Sequence, residues 1–273
     1  MSEIVGHPLF QGGLAPLVVA LIVGFALART RFAWLAIMPA YATMIALDTG
    51  FSLFPPTVAR KTMAIGLLAP LVGIAADFYP RASRRIAVAL VIVTALVSLW
   101  IFQTVLQNRD GANAIIAGAG VILFVAAMIA FMLRLRDDGV RAGAAGLGLG
   151  FAASIAGILS ASIGALVAGA AIASACVAML IVQVALSRML APGFTGTLPV
   201  GLLVALIAAG TQQLALLPWY ALPLFLLVPL AAAMPVSHHR SSIVRATILA
   251  GYALAASAFP IGAAWYAART AVQ

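Results

Sequence analysis

"AGAAGLGLGFAASIAGILSASIGALVAGAAIASACVAMLIVQVALS", Ala142 to Ser187, is a run of 46 residues without a charged side chain. A helix rises about 1.5 Å per residue, so one continuous helix of this length would reach roughly twice across a ~30 Å hydrocarbon core. The run must fold back on itself, most simply near "SASIG", Ser160 to Gly164. Whether it holds one span or two fixes the orientation of every segment that follows.

The surrounding chain has the same character. Of 273 residues 65% are hydrophobic and only 8% charged, against about a quarter charged in a soluble domain. The mean hydropathy is +1.18. These values predict an all-α fold, a polytopic transmembrane helix bundle that forms one integral membrane domain over residues 1–273. Apolar runs place about ten spans, at 13–29, 32–48, 61–79, 85–106, 113–133, 142–160, 163–187, 197–217, 219–236 and 243–266. The start "MSEIVGHPLFQGGLAP" lacks a basic region ahead of its apolar run, so it reads as an uncleaved first span rather than a signal peptide.

Charge tests this count independently, because loops on the cytoplasmic side are enriched in Lys and Arg. Ten spans collect Arg29, Arg31, Arg81, Arg84, Arg85, Arg134, Arg136, Arg141, Arg188, Arg240 and Arg245 on one side. The other side keeps Arg60, Lys61, Arg109 and Arg269. Merging the sixth and seventh spans would invert all later loops and spoil the alternation. The expectation is a bacterial-type inner (plasma) membrane protein with both termini on the outer, periplasmic side.

Several function classes are disfavoured. The net charge of +9 is dispersed in short loop clusters rather than a stripe with interleaved aromatics, so no nucleic-acid partner is expected. Cys176 is the only cysteine and excludes an intrachain disulfide. His7, His238 and His239 all fall outside the spans, which argues against bis-histidine haem or a buried metal site. "DTG" at Asp48–Gly50 matches the aspartic-protease tripeptide, but that chemistry needs two carboxylates in one site. The next acid in a span, Asp77, sits a whole helix away, and is expected to be an interfacial charge near basic anchors. Asp137 and Asp138 read as a solvated loop. With no phosphate-binding, zinc-protease or nucleophile-elbow motif, neither an enzyme nor a cofactor or metal is expected.

The polar groups that remain cluster on the outer side. In "ALDTGFSLFPPTVARK", Ala46 to Lys61, Gly50 and Pro55–Pro56 break the helix, leaving Asp48 and Thr49 on one flank and Arg60 and Lys61 on the other. Asp48 is expected either to face a cation or to pair with Arg60 or Lys61. "TQQ", Thr211, Gln212 and Gln213, forms the one amide cluster in the eighth span, where polar groups often line a pathway and otherwise simply bond between helices. A faint parallel repeat relates spans 1–4 (13–106) to spans 7–10 (163–266), matching Pro70 with Pro229 and setting Asp48 opposite Thr211 and Thr49 opposite Gln212. Coincidence in an Ala- and Leu-rich chain is the alternative.

Gly143, Gly146, Gly150, Ser154 and Gly157 recur at helical spacing and give the sixth span a face of small residues, suited to close helix approach within the chain or to another subunit. The resulting expectation is a membrane transporter or channel for a small solute, with the lipid bilayer as its surroundings. The alternative is a structural or assembly subunit of a larger inner-membrane complex, whose other membrane subunits would be its partners.

Overall fold

The uncharged run does fold back. One helix ends at Leu159, the next begins at Ile163, and Ala161 between them takes a positive φ of 55°. Ser162 closes the turn, accepting from the backbone N–H of Ala165 while its own N–H donates to the carbonyl of Gly157 at 2.8 Å. These bonds satisfy backbone groups that helix ends leave unpaired.

The computed structural model describes residues 6–51, 54–79, 83–214, 217–237 and 241–270. Glu3, Pro80, Arg81, His238, His239 and Arg240 lie outside them. In chain order the helices are α1 (Phe10–Leu27, opening with a π-helical turn), α2 (Ala33–Asp48, opening with a 3-10 turn), α3 (Val58–Asp77) and α4 (Ser83–Gln107). Next come α5 (Gly111–Arg134), α6 (Gly139–Leu159), α7 (Ile163–Ala185) and α8 (Gly193–Leu214). The chain closes with α9 (Ala221–Phe225), α10 (Leu227–Ala232) and α11 (Ser242–Thr270). Every regular element among the described residues is helical, and eight helices are long and apolar enough to cross a membrane.

Two of the ten expected spans come out short. At 1.5 Å per residue, α2 reaches about 24 Å and the α9–α10 pair about 18 Å if continuous. Proline explains both irregularities. Its ring clashes with the carbonyl four residues back, and Pro229 places that clash at Phe225, where α9 stops. Pro39 places it at Leu35, inside the 3-10 turn that precedes the regular part of α2. The elements that a parallel repeat would pair also differ, α2 being shorter than α8, and α3 continuous where α9–α10 is broken.

The bundle is organised around α8, which is 89% buried, with α6 and α7 at 72% and the outer helices at 28–39%. The small-residue face of α6 lies against α7. A Cβ on Gly150 would come within 2.5 Å of the Ala173 nitrogen, and one on Gly157 within 2.6 Å of the Leu166 nitrogen. Gly143 faces Leu180, Gly146 faces Cys176, and the Ser154 hydroxyl donates to the carbonyl of Leu166 at 3.0 Å. On its far side α6 meets α11, where a Cβ on Gly148 would press to 2.8 Å on the Ala253 carbonyl oxygen. Such backbone contact is what small residues permit where lipid removes the hydrophobic drive for helix pairing.

Gly150→Ala is expected to lower stability by about 1–3 kcal/mol through overpacking. Gly251→Ala, where an added Cβ meets nothing, should be neutral or slightly stabilising, since Ala is the better helix former. Thermal melting of the purified protein in detergent distinguishes the two.

Candidate functional site

Among the described residues, several arginine-bearing segments meet on one face of the bundle. The Arg31 guanidinium lies 4.4 Å from the ring centre of Phe78, so the α1–α2 loop meets the end of α3. Trp34 Nε1 donates to the carbonyl of Leu190 at 2.9 Å, and the N–H of Gly193 donates to the carbonyl of Arg136 at 3.0 Å. Arg141 donates to the carbonyl of Ala233 at 2.8 Å. Asp138 binds both Arg141, at 3.2 Å, and the buried Arg245, and accepts from the Arg141 backbone N–H as the cap of α6. Asp138 therefore joins α6 to α11 rather than standing in a solvated loop. Asp137 is exposed and lies 3.8 Å from Arg136.

Asp77 is the strongest correction to the sequence reading. Its Oδ1 accepts from the backbone N–H of Phe194 at 2.8 Å, and its Oδ2 accepts from the N–H of Thr195 at 3.0 Å and from the Thr195 hydroxyl at 2.6 Å. The first N–H groups of a helix lack intrahelical partners and carry partial positive charge. A carboxylate at the C-terminal end of α3 is unfavourable for α3 itself, and it serves α8 instead. Gly193, at φ +58°, permits the approach, since a Cβ there would lie 2.5 Å from Asp77 Oδ2. "PGFTG" after the seventh span was the legible signal: a turn glycine ahead of a helix start that needed an anion.

The opposite face is open. A cavity of about 280 Å³ enters between α2, α3, α7 and α8, lined by Asp48, Thr62, Ser162 and Thr211 near its mouth. Tyr41 and Leu206 lie deeper. Tyr41 precedes Asp48 by seven residues, so the cavity descends about 10 Å along α2. Beneath it α3 and α8 close together, with Leu203 and Tyr41 packed on Gly66.

Three acceptors stand out in this cavity: Asp48, Thr62 and Thr211. Asp48 is half-buried and makes no ion pair or hydrogen bond with another described residue. The Thr62 hydroxyl donates to the carbonyl of Val58 at 2.9 Å, and that of Thr211 to the carbonyl of Ala208 at 2.8 Å. With their protons so engaged, both hydroxyls present lone pairs. At the end of α2, Gln11, read only as part of the N-terminal segment, donates to the carbonyl of Leu47 at 2.9 Å and holds the helix end beside the cavity.

The other sequence candidates lie elsewhere. Arg60 donates to the carbonyls of Phe54 and Pro55, and Lys61 lies over the Trp100 ring at 4.6 Å and donates to its carbonyl. Neither base pairs with Asp48, because each ties the start of α3 to neighbouring backbone. Thr49 donates to the carbonyl of Gly50 and is exposed. "TQQ" is divided by the helix: Thr211 lines the Asp48 cavity, whereas Gln212 and Gln213 line a second cavity of about 1010 Å³ on the other flank of α8. Among the described residues no His, Cys, Asp and Glu cluster has the makings of a metal site. No protein family, curated protein or solved structure matches the chain.

Cysteine placed at Asp48 or at Thr211 should react with a small, charged, membrane-impermeant thiosulfonate applied from the Asp48 side. The fully buried native Cys176 should stay silent, so mass spectrometry of the unmodified wild type sets the background.

Proposed function

We propose that this chain is a transporter for a small, cationic or donor-rich solute, which enters from the outer face at Asp48. The observation that carries the reading is the half-buried carboxylate of Asp48, without a partner among the described residues, at a cavity where the Thr62 and Thr211 hydroxyls present lone pairs. Polar groups at membrane depth are costly, and their retention points to a solute path. At about 280 Å³ the cavity falls at the lower edge of small-molecule sites, which favours a compact solute.

The reading includes ten membrane crossings in a bacterial-type inner membrane, with both termini outside. It is supported by the two short segments, each of which has one end in the arginine-rich face and the other beside an opposite-face cavity. Segment α2 runs from the Trp34–Leu190 bond to Asp48, and α9–α10 runs from beside Trp219 to the Ala233 carbonyl bound by Arg141. Broken or short helices at membrane depth are tolerated where protein or a watery cavity satisfies them. A parallel repeat of spans 1–4 and 7–10 would set Asp48 and Thr211 in equivalent positions, and both line the one cavity. The alternative, an assembly subunit, is suited by the scarcity of intramembrane charge, but the small-residue face of α6 that would serve as its docking surface is covered by α7.

Uptake of tetramethylammonium, a permanently charged probe, into proteoliposomes should exceed that of protein-free vesicles. Asp48→Asn should cut it by about tenfold or more, the equivalent of losing only ~1.4 kcal/mol of charge contact. Equal uptake by the variant and the wild type would contradict the role of Asp48.

A further inference from the structure

The second cavity lies between α5, α8 and the α9–α10 pair, and its lining changes character along its depth. Asn108, Arg109, Asp110, Gln212 and Gln213 surround one end. From there it follows one face of α5 through Asn113, Ala117, Gly120, Phe124 and Ala127. That stretch from Asp110 to Ala127 is about 25 Å of helix, most of a ~30 Å hydrocarbon core. Ile116 and Leu123, at 70% exposure, line it too, so the groove is continuous with the apolar outer surface that acyl chains cover.

Three groups at the polar end lack side-chain partners among the described residues. Gln213 is 8% exposed, yet among the described residues nothing donates to its Oε1. Burying an amide oxygen without a donor carries the full cost of its lost hydration. Arg109 and Asp110, adjacent in sequence, form no ion pair with each other or with any other described residue. Asp110 also leaves the start of α5 uncapped by its side chain. A buried acceptor, a cation and an anion thus stand together above a long apolar groove.

We propose that this groove is a lipid site for a diacyl phosphoethanolamine. Its phosphate meets Arg109, its ammonium meets Asp110 and donates to Gln213 Oε1, and one acyl chain lies along Gly120 and Phe124. The lateral opening selects a bilayer lipid over a water-borne solute, and the paired opposite charges select a zwitterionic head over an anionic one. A trimethylammonium head carries the same charge but has no N–H, so it leaves Gln213 unsatisfied. The site is on the opposite flank of α8 from the Asp48 cavity, so the failure of either reading leaves the other standing.

The test compares two photoactivatable lipids with identical chains, one diacyl phosphoethanolamine and one diacyl phosphocholine. Each is present in trace amounts in vesicles of unlabelled phosphocholine lipid carrying the full chain. Cross-links on the segment from Asn113 to Ala127 should favour the phosphoethanolamine probe by about fivefold, the worth of one hydrogen bond. Gln213→Leu should remove that preference. Gly120→Leu should reduce labelling by both probes, because an added side chain enters open space and fills the groove without disturbing the bundle, while Gly120→Ala should leave it unchanged. Equal labelling of the wild type by the two probes, or labelling that Gly120→Leu leaves intact, would overturn the proposal.

Discussion

The bundle depends on a carboxylate supplied by one helix to the start of another. Asp77 ends α3 and accepts three hydrogen bonds at the beginning of α8, the most buried helix of the bundle. Charge-assisted bonds of this kind are worth more than neutral ones, about 1.5–3 kcal/mol each. In lipid there is little water to replace them. By fixing α3 antiparallel to α8 at this end, the contact sets the depth at which Gly73 and Gly66 meet α8, and hence the floor of the cavity above. The Asp138–Arg245 pair does the equivalent for α6 and α11.

The two faces of the protein are therefore chemically unlike. On the arginine-rich face each of Asp77, Asp137 and Asp138 has a partner, and the loops are tied to one another through backbone carbonyls. On the opposite face Asp48 and Asp110 have none among the described residues, and both line cavities. In a chain with six acidic residues this division is informative. The acids of one face are tied to partners, and those of the other line cavities without one among the described residues.

Much of this was legible in the sequence, and the parts that were not have a common cause. Helix existence followed from hydropathy because each long apolar segment answers to the bilayer alone. The fold-back at Ser160–Ser162 followed from length. Asp48 and Thr211, both pathway candidates by sequence, line one cavity. What escaped was every assignment of a charged side chain to a partner in another helix. Asp77, expected to be an interfacial charge near basic anchors, has its partners 117 and 118 residues away. Asp48, expected to face a cation or to pair with Arg60 or Lys61, pairs with neither base. Helix periodicity says which residues share a face but not which helix will lie opposite. Gln212 and Gln213 were grouped with Thr211 by adjacency, although consecutive helical positions point about 100° apart and reach different cavities.

The most direct test of this account is amide hydrogen exchange at the start of α8, measured in lipid nanodiscs for the wild type and for Asp77→Ala. The account predicts slow exchange at Phe194 and Thr195 in the wild type. In the variant it predicts exchange about tenfold faster or more there, the equivalent of ~1.4 kcal/mol, with α6 and α7 unchanged. Equal protection of Phe194 and Thr195 in the two proteins would contradict the claim that Asp77 holds the bundle closed on this face.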